Sequence, residues 1–199
     1  AIISANAEVL QYKGDGNEWT QNIIDQTKHM GKLINQLLVL AKLDEVQEKS
    51  EKQEADLKLL LEETIEPFEE VATQKKVTLK LHLEEGVTIR VNREQIAQLV
   101  SILTENAAKY VNDGGKIVWR LTKTQHGAVL VVKNTTEKEL PDTKRMFDRF
   151  YRSDSSRSSK TGGQGIGLSI AKKIVDSHKG SITAKAGDGM VTFRVSLPK

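Results

Sequence analysis

The sequence contains no cysteine. That excludes a disulfide scaffold, a thiol nucleophile and a thiolate zinc site. Proline occurs only three times in 199 residues, and none falls between Trp19 and Leu43, so a long helix is permitted there. No charge of one sign dominates: 30 Lys+Arg stand against 27 Asp+Glu, a net of +3. The basic residues are interleaved with acids, which argues against a nucleic-acid partner. No apolar run approaches the roughly 20 residues of a membrane-spanning helix, so no direct membrane contact is expected. No signal-peptide pattern is visible, and the chain begins inside a helical pattern, which reads as a fragment of something longer. What remains, 38% hydrophobic and 29% charged, suits a folded, soluble chain. The length allows one ordinary domain and a small second unit.

The first fifty residues are helical by pattern. Ile2, Ile3, Asn6, Val9 and Leu10 fit one face of a short helix, and Gly14-Asp15-Gly16-Asn17 reads as a turn. Ile23, Met30 and Leu37 recur every seven residues. Leu33 and Leu40 form a second row, widened by Ile34 and Ala41. Such a seam fits either a plain antiparallel helix pair packed on the rest of the chain or half of a dimeric four-helix bundle. The polar stretch from Asp44 to Glu54 suits a linker.

The remainder alternates helices and strands. The spacing predicts a helix from Leu57 to about Gln74, with a strand-like start at Ala55-Asp56-Leu57, and strands at Val77–Leu83 and Val87–Val91. A helix follows over Arg93–Val111, with Ile96, Leu99, Val100, Leu103 and Ala107 on its apolar stripe. Lys116–Lys123 and Ala128–Lys133 read as a hairpin around Gln125-His126-Gly127. A short helix is expected from Asp142 to Phe147 and a serine-rich loop from Ser153 to Gly163. Gly165–Lys179 reads as helix, and Ser181–Lys185 and Met190–Leu197 as a closing hairpin. The expected fold is α+β: a helical hairpin at residues 1–50, then a two-layer α/β sandwich with a mixed sheet at 51–199.

Three segments carry possible chemistry. Gly162-Gly163-Gln164-Gly165-Ile166-Gly167-Leu168 opens a helix, where free N–H groups and the helix dipole favour a phosphate. No strand precedes it, so it is not a dinucleotide-binding turn, and no Lys-Ser/Thr pair follows, so it is not a Walker loop. A ligand-free flexible loop is the plainer reading. Asn106, Lys109 and Tyr110 share one face at the end of an amphipathic helix. The amide suits Mg²⁺, the Lys a phosphate and the ring a base; a solvated helix face is the plainer reading. In Met146-Phe147-Asp148-Arg149-Phe150-Tyr151-Arg152, the two Phe are first of all core residues that anchor the loop after them. Arg149 and Arg152 suit phosphate oxygens.

In this order the pieces resemble a sensor histidine kinase of the two-component type, over nearly the whole chain. "ILTENAAKY" resembles the family's asparagine box, "MFDRFYRSDSSRS" its phenylalanine box, and "TGGQGIGLSIAKKIVDSHKG" its second glycine box. "NIIDQTKHMGKLINQLLVLAKLDE" is similar to the second helix of the dimerisation hairpin. The resemblance implies the Bergerat ATP-binding fold, with ATP and Mg²⁺ as cofactors. It places Asn106 on Mg²⁺, Lys109 and Arg152 on the phosphates, Tyr110 against adenine, and Gly163, Gly165 and Gly167 along the lid hinge and phosphate side. It also implies a response regulator as partner, a homodimer through the hairpin, and a cytoplasmic location beneath a membrane-anchored sensor.

The sequence departs from the family pattern at three points. None of His29, His82, His126 and His178 has the context of the phosphoacceptor, so no catalytic residue is assigned here. The acceptor is expected to lie beyond the N-terminus, a truncation that would weaken the dimer. The first glycine box is degraded, with Asn134 where the family's Asp would accept from the adenine amino group. Ile102 occupies the position of a second Asn, or of the water-activating Glu of gyrase-type relatives, which argues against an autonomous ATPase. The alternative to a kinase fragment is a nucleotide-blind scaffold serving dimerisation and protein contact. An anti-sigma serine kinase fits poorly, because it would lack the hairpin.

Overall fold

The computed structural model describes residues 2–12, 18–45, 51–137, 142–143, 145–151 and 165–199. The chain forms two compact units, Ala1–Asp44 and Glu45–Lys199.

The first unit holds α1 (Ile2–Tyr12) and α2 (Glu18–Glu45). A hydrogen bond from Gln11 Nε2 to Gln21 Oε1, 2.7 Å, joins the two helices. Ala7, Thr20 and Ile24 are buried, while Ile3, Val9 and Leu10 of α1 and Ile23, Met30, Ile34 and Leu37 of α2 stay exposed. The seven-residue seam is therefore outside the core of the single chain. The expected turn at residues 14–17 lies outside the described residues.

The second unit begins with β1 (Gln53–Asp56), α3 (Leu57–Ile65) and α4 (Pro67–Gln74). Asp56 ends β1 and caps α3, its carboxylate accepting from Lys58 N at 2.8 Å. The single helix expected from Leu57 to Gln74 is two helices. Pro67 lacks an N–H and so opens a new helix at its first turn instead of continuing the old one. Gln53 and Glu54, expected in a linker, are strand. They pair antiparallel with β3 (Thr88–Val91), because Ala55 must follow Ile89 into the core.

The main sheet contains β2 (Thr78–Leu83), β4 (Lys116–Thr124), β5 (Gly127–Thr135), β6 (Ser181–Gly187) and β7 (Met190–Pro198), in the order β2-β4-β5-β7-β6. β2 and β4 are parallel and every other pair is antiparallel, so the sheet is mixed, as the alternation predicts. One face of the sheet is apolar, through Leu79, Ile117, Trp119, Leu121, Leu130, Val132, Phe193 and Val195. It packs under α4, α5 (Arg93–Tyr110) and α6 (Gly167–Ser177). Asn92 caps α5 by accepting from Gln95 N at 2.9 Å.

Two expectations fail around residues 142–151. Among the described residues this stretch is a chain of turns, held by Arg145 N to Asp142 O and Asp148 N to Arg145 O, not a helix. Phe147 packs edge-on against Phe193, with ring centroids 6.4 Å apart. Phe150 does not join it. That ring is 64% exposed, because the backbone turns there at φ 63° and carries the side chain outward.

Candidate functional site

The last two turns of α5 are fixed by Leu99, Leu103 and Ala107, which are buried against the sheet and α6. With that stripe inward, Asn106, Lys109 and Tyr110 fall at the margin of the helix and are half-buried. Lys109 Nζ stands 5.1 Å from the Tyr110 ring centroid, so the cation and the aromatic face form one local unit. No side-chain hydrogen bond engages the Asn106 amide among the described residues, which leaves its oxygen available to a hard cation. No cluster of three or more His, Asp or Glu able to hold a metal by itself exists among the described residues. A metal here would take most of its ligands from nucleotide and water.

The start of α6 is built beside this face. A side chain on Gly167 would lie 3.5 Å from Cγ2 of Ile102, one turn before Asn106. Gly165 is more tightly constrained. Its φ is +70°, and a Cβ there would stand 2.5 Å from Tyr151 O, so only glycine fits. Its carbonyl accepts from Phe150 N at 2.9 Å. That bond ties the phenylalanine-box segment to the glycine-rich helix start. Arg152 and Gly163 lie outside the described residues.

Asn134 sits near the end of β5, paired with Ile117 on β4 and Val191 on β7. It points to the helical side and is 1% exposed, and its Nδ2 donates to Thr135 O at 3.1 Å. α5 packs on both β5 and α6. The structure thus brings Asn106, Lys109 and Tyr110 onto a helix that packs both on the element opened by Gly165 and Gly167 and on the strand that carries Asn134.

Sequence reasoning assigned no role to His178. It is 4% exposed at the end of α6, its Nδ1 2.7 Å from Ile174 O, while Nε2 accepts from Asn92 N at 3.1 Å. This neutral tautomer links the end of α6 to the cap of α5. Burial pushes its pKa below the ordinary value. The carbonyl of Ile174 works against that shift, and the nearby charge of Lys52 adds to it. A lone His after a helical run carries no pattern that would have revealed the link.

Residues 91–199 match the family described as "Histidine kinase-, DNA gyrase B-, and HSP90-like ATPase". The chain therefore belongs to this ATPase-fold family. Within it, the chain is similar to sensor histidine kinases and to their catalytic domain. The sensor protein DltS of Streptococcus agalactiae is 32% identical over 201 residues, covering all of this chain and 50% of DltS. The catalytic domain of histidine kinase ThkA, in a nucleotide-free form, superposes with a TM-score of 0.67 at 25% identity, over 75% of this chain and 96% of that one. ThkA bound to its response regulator TrrA gives 0.71 at 21% identity, over 100% of this chain and 57% of that one, which is a likeness of fold. The chain spans about half the length of the curated relative it matches. Among the described residues no helix is long and apolar enough to cross a membrane.

Proposed function

We propose that this chain is the kinase core of a sensor in two-component signalling, and that residues 51–199 direct the γ-phosphoryl group of Mg-ATP onto a histidine outside the present sequence. The observation that carries this reading is the free amide of Asn106 beside the Lys109–Tyr110 pair, on a helix packed against the Gly165–Gly167 start of α6. ATP supplies the phosphoryl group, and Mg²⁺ neutralises the phosphate charge. The chain's residues bind and orient, which is most of the work in phosphoryl transfer. Asn106 would hold the metal, Lys109 and Arg152 the phosphates, and Tyr110 the adenine face. Gly163, Gly165 and Gly167 would let backbone N–H groups approach the phosphates. Asn134 would accept from the adenine amino group. In the transfer the bond from the β–γ bridging oxygen to phosphorus breaks, a bond from an imidazole nitrogen forms, and ADP leaves.

Residues 1–50 would be the dimerisation hairpin, joining two copies through the exposed Ile23, Met30 and Leu37. A response regulator would receive the phosphoryl group, as the complex of ThkA with TrrA suggests by analogy. The chain would be the cytoplasmic part of a membrane-anchored sensor. The neutral Asn134 in place of a carboxylate, in a stretch without the spaced glycines of the first glycine box, favours a second reading: a scaffold that keeps the fold without nucleotide.

Calorimetric titration with ATP, with and without Mg²⁺, separates the two. Saturable binding strengthened by Mg²⁺ supports the kinase core, and no binding supports the scaffold. Asn106→Asp should weaken binding more with Mg²⁺ than without it; equal loss would assign Asn106 a purely structural role.

A further inference from the structure

The helices cover one face of the five-stranded sheet and leave the other open. None of the chain's 27 acidic residues lies in any of the five strands. The strands do carry seven cations: Lys123, which alternates onto the helical side, and six others, Lys80, Lys116, Arg120, Lys133, Lys185 and Arg194, all exposed. Strand alternation places all six on the open face, because Leu79, Ile117, Trp119, Val132, Ala184, Phe193 and Val195 point to the helical side. The register then aligns them in rows across the sheet. Lys80, Val118, Lys133, Thr192 and Lys185 form one row. His82, Arg120, Val131, Arg194 and Thr183 form the next. Five strands spaced about 4.8 Å apart make this a basic field roughly 20 Å wide. The ion pairs among the described residues, Lys58–Glu85, Arg93–Glu63, Arg145–Asp148 and Lys172–Asp176, all lie elsewhere.

One cluster of acids of the same unit lies on the opposite side. Glu62, Glu63, Glu66, Glu69 and Glu70 crowd α3 and the start of α4. A net charge of +3 therefore conceals a unit with one basic face and one acidic flank, and such a unit orients in an electric field.

We propose that the open face of the sheet docks on an anionic lipid bilayer. Charge complementarity requires a polyanion, and the composition of the face selects among polyanions. Protein interfaces favour aromatic residues, Met and Arg and are depleted in Lys. These rows hold no Phe, Tyr or Trp, their one ring being His82 at the edge, and Val118 and Val131 occupy the middle. Single-stranded nucleic acid wants aromatic rings on which bases stack, and a duplex wants an element that enters a groove. A broad field of long, adaptable basic side chains offers neither, and it suits a laterally fluid sheet of anionic headgroups. The docked unit turns its acidic helices, and with them α5 and α6, away from the bilayer. The sequence-level expectation of no membrane contact considered spanning segments only, whereas this contact is peripheral.

The test is flotation of the intact chain with vesicles. Phosphatidylcholine vesicles containing 30% phosphatidylserine, about a physiological anionic fraction, should carry the chain at low salt and release it as salt rises. Pure phosphatidylcholine vesicles should not carry it. Each open-face charge removed should cut partitioning about fivefold, so Arg120→Gln, Lys133→Gln and Arg194→Gln together should cut it by about a hundredfold. Thermal melts of the triple variant should match the parent. Neutralising Lys58, Lys75 and Lys172 on the helical side should change partitioning no more than about fivefold. The proposal is overturned if anionic vesicles do not bind, if neutral vesicles bind equally, or if the helical-side variant loses as much as the sheet variant. Tighter binding to a 20-base-pair duplex than to anionic vesicles at equal phosphate also overturns it.

Discussion

The two units spend their apolar residues in opposite ways. In residues 51–199 the large apolar side chains are inside: Trp119, Phe193, Leu60, Leu61, Ile96, Leu99, Leu103 and Leu130 are all buried. In the hairpin, Trp19, Ile23, Met30, Ile34, Leu37 and Leu38 are exposed, and among the described residues only Ala7 and Ile24 of the apolar side chains are buried. The second unit thus has a core that closes on itself. The first has an apolar face that a single chain leaves in water, the pattern of a surface that needs another surface. A heptad repeat read from sequence cannot distinguish these cases, because it reports which residues share a face and not what covers it.

The largest expected effect lies in the closed core. Phe193→Ala removes a ring that is 1% exposed and stacked edge-on by Phe147. It should cost the second unit about 3–5 kcal/mol. Chemical denaturation followed at Trp119 would show it, and a loss below about 1 kcal/mol would mean the core is loose, erasing the contrast between the units.

A smaller effect comes from His178, which acts through pH. Its folded pKa lies below the unfolded value of about 6.5. Below that value the unfolded chain therefore binds more protons than the folded one, and stability falls as pH drops. The contribution is fully present above about pH 6.5 and declines by up to about 1.4 kcal/mol per pH unit towards the folded pKa. A proton on Nε2 also abolishes the acceptor for Asn92 N. Melting curves from pH 7.5 to pH 5 should show the second unit losing stability, and His178→Gln should flatten that slope. An unchanged slope in the variant would show that other groups produce it. Asn92→Ala, which removes the cap of α5, should cost about 1 kcal/mol at every pH.

How much of this was legible in the sequence depends on whether a local pattern decides the feature. The alternation in Lys116–Thr124 and Gly127–Thr135 gave both strands, and the stripe from Ile96 to Ala107 gave α5 and its outward face. Asn106, Lys109 and Tyr110 were found because helical spacing alone fixes that they share a margin. β1 was legible only at its end, as a strand-like start at Ala55-Asp56-Leu57, because Gln53 and Glu54 carry no alternation; pairing with β3 across more than thirty residues makes them strand as well. Phe150 was misplaced because a positive φ at a non-glycine residue leaves no mark in composition. The basic face was invisible for a different reason. Lys80, Lys133 and Lys185 are about fifty residues apart in sequence, and only the strand register brings them into one row.

The smallest effect on folding, and the one that most sharpens the contrast, is expected from Met30→Ser with Leu37→Ser. Met30 is 51% exposed, and Leu37 is exposed as well. In an isolated chain these substitutions sit on a wet surface and should change stability by less than about 0.5 kcal/mol each. In a four-helix bundle of two copies each side chain is buried, and each loss costs roughly 1.5–3 kcal/mol per subunit. The same pair of substitutions is thus nearly silent in one assembly state and large in the other. Every 1.4 kcal/mol is tenfold in the dissociation constant, so the double variant should be monomeric at concentrations where the parent self-associates. The melting of the second unit should not move. Sedimentation over nanomolar to high micromolar concentration reads the first quantity and calorimetry the second. If the parent is already monomeric throughout, the exposed seam serves some other partner. If the second unit melts earlier in the variant, the seam also supports that core, and the two units do not differ in the way their burial indicates.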